Sequence, residues 1–172
     1  FSTGPGSYMS LRIGISTAKG LSLSLGCPIL GFSSLEILAK DAIKNHFENS
    51  RLTTESLICI RSADKENIFY AKFEVSKKVN CNSFSYKRNT VDKLIGFNEL
   101  VIQDDLNTTL IYSSINEKKI SLLKKRYPNA LFLPINTSSL SVALSTLDKV
   151  KKGNFTENEN LLPTYCRDVK LG

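Results

Sequence analysis

The period of apolar positions changes several times along the chain, and each change marks an element. Between Leu11 and Leu25, Leu11, Ile13, Ile15, Ala18, Leu21, Leu23 and Leu25 spread around most of a helical circumference. A helix apolar on nearly all sides is normally buried on nearly all sides. This segment therefore either fills a core or serves a core on one side and a partner on the other. Gly14 and Ala18, four apart, form a small-residue stripe along which a second helix could approach closely. Gly20 inside the same helix costs roughly 1 kcal/mol relative to Ala, which points to a contact that needs the space. Just before the helix, Gly4-Pro5-Gly6-Ser7 reads as a strand-to-helix turn in which Ser7 or Ser10 caps the helix. Such a turn also offers backbone N–H groups to an anion, so a phosphate-loop reading of Gly4, Pro5, Gly6 and Ser7 stands beside the plain turn.

Further on, Ile29–Ser34 reads as a short buried strand after Pro28. Ser33 or Ser34 then caps a helix through Leu35, Leu38, Ala39, Ala42, Ile43 and Phe47, with Glu36 placed for a capping box. Residues 49–55 turn polar, and Leu57–Ile60 is a compact apolar strand. Phe69, Ala71, Phe73 and Val75 then alternate with polar positions, so the two strands form an antiparallel pair, with a third at Ser83–Tyr86. A short helix is predicted at Val91–Ile95 and strands at Leu110–Tyr112 and Leu131–Ile135, flanking a charged amphipathic helix at Glu117–Tyr127. The last helix runs from Thr137 or Ser138 to about Lys152, ended by Gly153. The segment 154–160, rich in Asn and Glu, is expected to be mobile. Alternating strands and helices predict an α/β chain.

Composition narrows the functional classes. At 172 residues with 41% hydrophobic content, the chain can build a sizeable core. No apolar run is long enough to span a bilayer, so no membrane association is expected. Cys27, Cys59, Cys81 and Cys166 show no C-x-x-C spacing and read as buried reduced thiols of a cytoplasmic protein. His46 is the one histidine, so no metal site is expected. A net charge of +7 favours anionic partners, although its clusters, Lys124-Lys125-Arg126 among them, each read as solvated faces. Asp104-Asp105 reads as a solvated loop pair and not as an acid–base couple. No G-x-S-x-G elbow or other nucleophile–base pair is legible, so no catalytic residue is assigned.

Gly4-Pro5-Gly6-Ser7, Leu11-Arg12-Ile13-Gly14-Ile15-Ser16-Thr17-Ala18-Lys19-Gly20, Pro28 and Gly31-Phe32-Ser33-Ser34-Leu35-Glu36 together resemble the TsaB (YeaZ) family. The tail Pro163-Thr164-Tyr165-Cys166-Arg167 resembles that family's Pro-x-Tyr-Leu-Arg ending. Two departures stand out: Tyr8-Met9-Ser10 replaces the family's usual Phe-Thr-Gly, and Ala63–Asn67 lacks its Asp-Ala-Arg-Arg-Gly pattern. The resemblance implies an actin/Hsp70/sugar-kinase-like (ASKHA) fold. Residues 1–50 would be the latter part of a first subdomain, and 51–172 a second α/β subdomain with its tail. The opening on Phe1 is then expected to follow absent first strands that carry an Asp-containing phosphate loop.

Functionally, the resemblance implies a non-catalytic partner subunit in tRNA threonylcarbamoyladenosine (t6A) modification. It would organise a TsaD-like transferase subunit alongside a TsaE-like ATPase, or pair with itself, and would meet tRNA through the complex. ATP or ADP would enter only through partner subunits. A lone histidine cannot supply the metal-binding histidine pair of the catalytic paralogue. The partner-facing set is Leu11, Gly14, Thr17, Ala18, Leu21 and Ser24, of which Thr17 and Ser24 look less committed to the core than Ile13 or Leu21. The alternative is a nucleotide-binding enzyme of the actin/sugar-kinase type that uses Gly4–Ser7 for phosphate.

Overall fold

The computed structural model describes residues 1–47, 54–77, 84–151 and 161–166. The expectations for residues 49–53, Cys81, Ser83, Gly153, 154–160 and Arg167 fall outside the described residues. Strand β1 (Ser2–Gly4) enters the Gly4–Ser7 turn and helix α1 (Tyr8–Leu25). The chain returns as β2 (Phe32–Ser33), parallel to β1 with Ser2 opposite Phe32. Helix α2 (Ser34–Ala42) follows at once and relaxes into a π-helical turn at Ile43–Phe47, where His46 sits. Of the two serines the sequence offers, Ser33 caps α2: its hydroxyl accepts the Glu36 amide at 3.2 Å, while the Glu36 carboxylate turns to Lys40 and the Tyr86 hydroxyl and not to a capping box.

Beyond residue 54 the chain builds one six-stranded mixed sheet. Its strands are β3 (Ser56–Ser62), β4 (Asn67–Lys77), β5 (Phe84–Arg88), β6 (Lys93–Gly96), β7 (Thr108–Ser113) and β8 (Leu131–Pro134). The order is β5-β4-β3-β7-β8, with β6 also on β4. Pairing is antiparallel from β3 through β4 to β5 and parallel from β3 through β7 to β8. Helix α3 (Glu117–Arg126) lies between β7 and β8, and helix α4 (Ser139–Lys151) follows β8.

β6 corrects the helix predicted at Val91–Ile95. Val91, Leu94 and Ile95 match a helical spacing only over a very short run. β4 is 11 residues long, and β5 covers only its Phe73–Lys77 end. The backbone groups of Asn67–Tyr70 need partners, and β6 supplies them, with Ile95 opposite Ile68.

Both faces of the sheet are covered, which is why β3 reads as a continuous apolar run. Leu57, Cys59, Ala71, Phe73, Val75 and Ile111 pack against Leu35, Leu38, Ala39, Ala42 and Ile43 of α2 and its π turn. Ile58, Ile60, Ile68, Leu110 and Tyr112 face the other way, onto Ile120, Leu123 and Tyr127 of α3 and its end. Full burial of each Leu, Ile, Val or Phe side chain among them contributes about 1.5–3 kcal/mol. By packing, α2 belongs to the core of the larger sheet. Of the cysteines, Cys59 is buried as expected, but Cys27 is exposed and its thiol donates to the Leu25 carbonyl.

Candidate functional site

The Gly4–Ser7 stretch does turn a strand into a helix. Gly4 adopts φ +110°, a conformation that L side chains rarely take, and a cis peptide joins it to Pro5. The Ser7 carbonyl accepts the Leu11 amide at 2.9 Å, so Ser7 holds the N-cap position through its backbone. Its side chain makes no capping bond, and Ser10 lies inside the first turn, which corrects the expected serine cap. Gly4 and Pro5 are buried, Gly6 is half-buried and Ser7 is exposed. The Pro5 carbonyl accepts the Ser34 hydroxyl at 2.7 Å and ties the turn to the start of α2.

A strap formed by residues 161–166 completes this corner. The Thr164 amide donates to the Thr3 carbonyl at 2.8 Å, and Leu161 is buried against Gly31. At the entrance to α1, the rings of Tyr8 and Tyr165 lie 5.1 Å apart, and the Arg12 guanidinium sits 4.7 Å over Tyr8. The sequence alone pairs none of these residues.

α1 itself departs from the expectation of near-complete burial. Only Leu11, Ile15 and Ser22 are buried, and Ser22 is held by its hydroxyl on the Cys27 carbonyl. Met9, Ile13, Leu21, Leu23 and Leu25 are 57–76% exposed, so Ile13 and Leu21 are not core residues. Leu11 is only 8% exposed and belongs to the chain's own core, which removes it from the partner-facing set. Gly14, Thr17, Leu21 and Ser24 are exposed and Ala18 is half-buried. A Cβ added at Gly14 or Gly20 would meet nothing within 4 Å. Gly14→Ala and Gly20→Ala are therefore expected to stabilise the isolated chain by about 0.5–1 kcal/mol each. Thermal melts should show gains of roughly 2–4 °C per kcal/mol for a chain of this size.

The remaining candidates have local roles. The Asp104 carboxylate accepts the Asn107 amide group and backbone N–H at 2.9 and 3.3 Å, and these bonds hold its pKa down. Asp105 accepts from Asn129 at 3.1 Å and is half-buried, so of the expected solvated pair only Asp104 is exposed, and each carboxylate ties a loop to an asparagine. Lys124 and Lys125 are exposed, and Arg126 donates to the Asn98 carbonyl at 3.1 Å. Among the described residues, no three His, Cys, Asp or Glu side chains gather as metal ligands. Among the same residues, no helix is long and apolar enough to cross a membrane.

Residues 1–146 match the family model described as TsaD, tRNA N6-adenosine threonylcarbamoyltransferase. The chain is 30% identical over 127 residues to the tRNA threonylcarbamoyladenosine biosynthesis protein TsaB of Buchnera aphidicola from Acyrthosiphon pisum, an alignment covering 74% of this chain and 45% of that protein. It is 24% identical over 143 residues to the Haemophilus influenzae protein of the same name, covering 77% of this chain and 58% of that one. The chain thus spans about half the length of these curated relatives. A crystal structure of a Pseudomonas aeruginosa protein, described as similar to the peptidase YeaZ, superposes with a TM-score of 0.71 at 19% identity, over 97% of this chain and 72% of that one. That likeness carries the fold, and it agrees with the family model on an actin/sugar-kinase-like α/β architecture. The glycine-bracketed turn, the helix it launches and the strand-and-cap at Phe32-Ser33 thus lie in a chain that belongs to the TsaB/YeaZ family of tRNA threonylcarbamoyladenosine biosynthesis proteins.

Proposed function

We propose that this chain serves t6A biosynthesis as a non-catalytic partner subunit, docking a TsaD-like transferase subunit through the outer face of α1. The observation that carries the reading is the exposure of Met9, Ile13, Leu21, Leu23 and Leu25 on a helix that buries only Leu11, Ile15 and Ser22. Five large apolar side chains left exposed on one helix are the kind of surface that interaction sites use. The names of the curated relatives support the pathway. Gly14 and Gly20 would let a partner helix approach closely, with Thr17 and Ser24 between the apolar residues. In this reading a TsaE-like ATPase and any ATP or ADP join through the transferase, and tRNA is met by the assembled complex. A second copy of this chain is the competing occupant of the same face.

The test is the elution mass of Thr17→Glu and Ser24→Glu variants of the full-length protein, with and without the transferase subunit. Both side chains point to solvent, so circular dichroism should stay that of the parent. Pairing is expected to fall by about 2 kcal/mol or more if the site is central to the interface. Folded variants that still co-elute with the transferase would overturn the assignment. Loss of self-association with transferase pairing intact would give the face to a second copy instead.

A further inference from the structure

Helix α2, strand β5 and helix α4 enclose an open cleft of about 600 Å³. Its walls carry four lysines, Lys40 and Lys44 from α2 and its end, and Lys149 and Lys151 from α4. Two carboxylates, Glu36 and Asp41, stand against them. Glu36 is engaged: Lys40 lies 3.4 Å from its Oε1, and the Tyr86 hydroxyl donates to the same atom at 3.0 Å. Asp41 is buried beneath α4, with its pKa raised by desolvation even though the Ser141 side chain hydrogen-bonds to it and Lys44 is near. Counted over the described residues, the lining of the cleft is therefore net positive.

The two inner lysines converge. Lys40 Nζ lies 5.0 Å and Lys149 Nζ 4.2 Å from the centroid of the same ring, Phe32. Lys149 also donates to the Gly31 carbonyl at 3.4 Å. Each ammonium is attracted by the ring, but the two repel each other, and Glu36 balances only one of them. A multivalent anion between them would relieve that repulsion. Phosphate suits the geometry, because its several oxygens can bridge two point-like ammonium groups arriving from different helices. The cleft also falls within the range of small-molecule sites, and Phe84, Leu144 and Leu147 give it an apolar wall.

We propose that this cleft binds a small phosphate-bearing ligand, clamped between Lys40 and Lys149, with Lys44 and Lys151 strengthening the positive field at its rim. The site is independent of the α1 reading and stands or falls separately.

The probe is pyrophosphate, titrated into the full-length protein at low ionic strength and followed by calorimetry and amide chemical shifts. Saturable binding is expected, with shifts centred on α2 and α4. Lys40→Gln and Lys149→Gln should each weaken it about tenfold or more, a difference readily resolved in Kd. Lys151→Gln at the rim should weaken it less and keeps the test open if Lys149→Gln fails to fold. Lys124→Gln with Lys125→Gln on α3 should leave it unchanged. No saturable binding up to about 10 mM, a range in which even weak sites fill, would overturn the proposal. So would equal loss in the α3 control, which would mean diffuse attraction to a basic protein.

Discussion

Asp92→Ala is expected to lower the unfolding free energy by about 3 kcal/mol, the lower end of what breaking one side of a buried ion pair costs. Its side chain is 4% exposed and accepts from the Ser33 hydroxyl at 3.0 Å and from Arg88 Nη2. Ser33 is also the cap of α2, so the carboxylate fixes the helix start to the β5–β6 connection. Truncation leaves the Arg88 guanidinium, 30% exposed, without its carboxylate partner, and its partial contact with water holds the cost at the lower end. Asp92→Asn keeps an acceptor for Ser33 and should cost less. The pH dependence has a definite sign. Desolvation by burial raises the Asp92 pKa, opposed by the Ser33 hydrogen bond and by Arg88. The native state therefore binds more protons than the unfolded one between the ordinary carboxylate pKa and the raised value. The stability that Asp92 contributes is full below that window and declines as pH rises through it. The deficit of Asp92→Ala relative to the parent should thus be largest at acid pH and narrow towards neutrality. Denaturant midpoints across pH 4–7 read this directly, and a deficit that widens towards neutrality would mean that Arg88 dominates over burial.

The elements legible in the sequence were those whose signals are local. Ser33 or Ser34 with Glu36 close behind, followed by Leu35, Leu38, Ala39 and Ala42, points to α2 from the sequence, and the structure fixes the cap on Ser33 and turns the helix end into a π turn. The alternation of Phe69, Ala71, Phe73 and Val75 places one face of β4, and those residues do share the α2 side of the sheet. What misled was whatever depends on the rest of the molecule. β6 exists because β4 outruns β5, a fact about another strand's edge that Val91–Ile95 cannot encode. For α1, the period told which positions are apolar but not which are covered, so Ile13 and Leu21 looked buried and are exposed. The lysine pair over Phe32 was equally hidden, since Lys40 and Lys149 come from helices at opposite ends of the chain. The turn at Gly4 was legible as a turn, but its contact with the strap was not.

That contact makes Gly4→Ala the other large expected effect. Gly4 sits at φ +110°, where an L side chain is strained whatever the space around it. Its new Cβ would also stand 2.9 Å from Leu11 Cδ1 and 3.0 Å from the Thr164 carbonyl oxygen. Leu11 can give way a little, but Thr164 is held by its own amide on the Thr3 carbonyl. Strain and overpacking together are expected to cost about 2–4 kcal/mol, a fall in Tm of roughly 5–15 °C for a chain of this size. The strap should loosen first. Hydrogen exchange at the Thr164 amide should accelerate more than exchange in β3 or β7, and the near-ultraviolet signal of the Tyr8–Tyr165 pair should weaken. Gly6→Ala is the control. Its Cβ would find only ordinary contacts with Leu11, at 3.8 and 3.9 Å, and its backbone is not in the left-handed region. It should cost less than about 1 kcal/mol. If Gly6→Ala were as damaging as Gly4→Ala, the turn would depend on general glycine freedom and not on the approach of the strap. If only Gly4→Ala is damaging, the strap anchors the turn that launches α1, and the direction of that helix rests on residues 161–166.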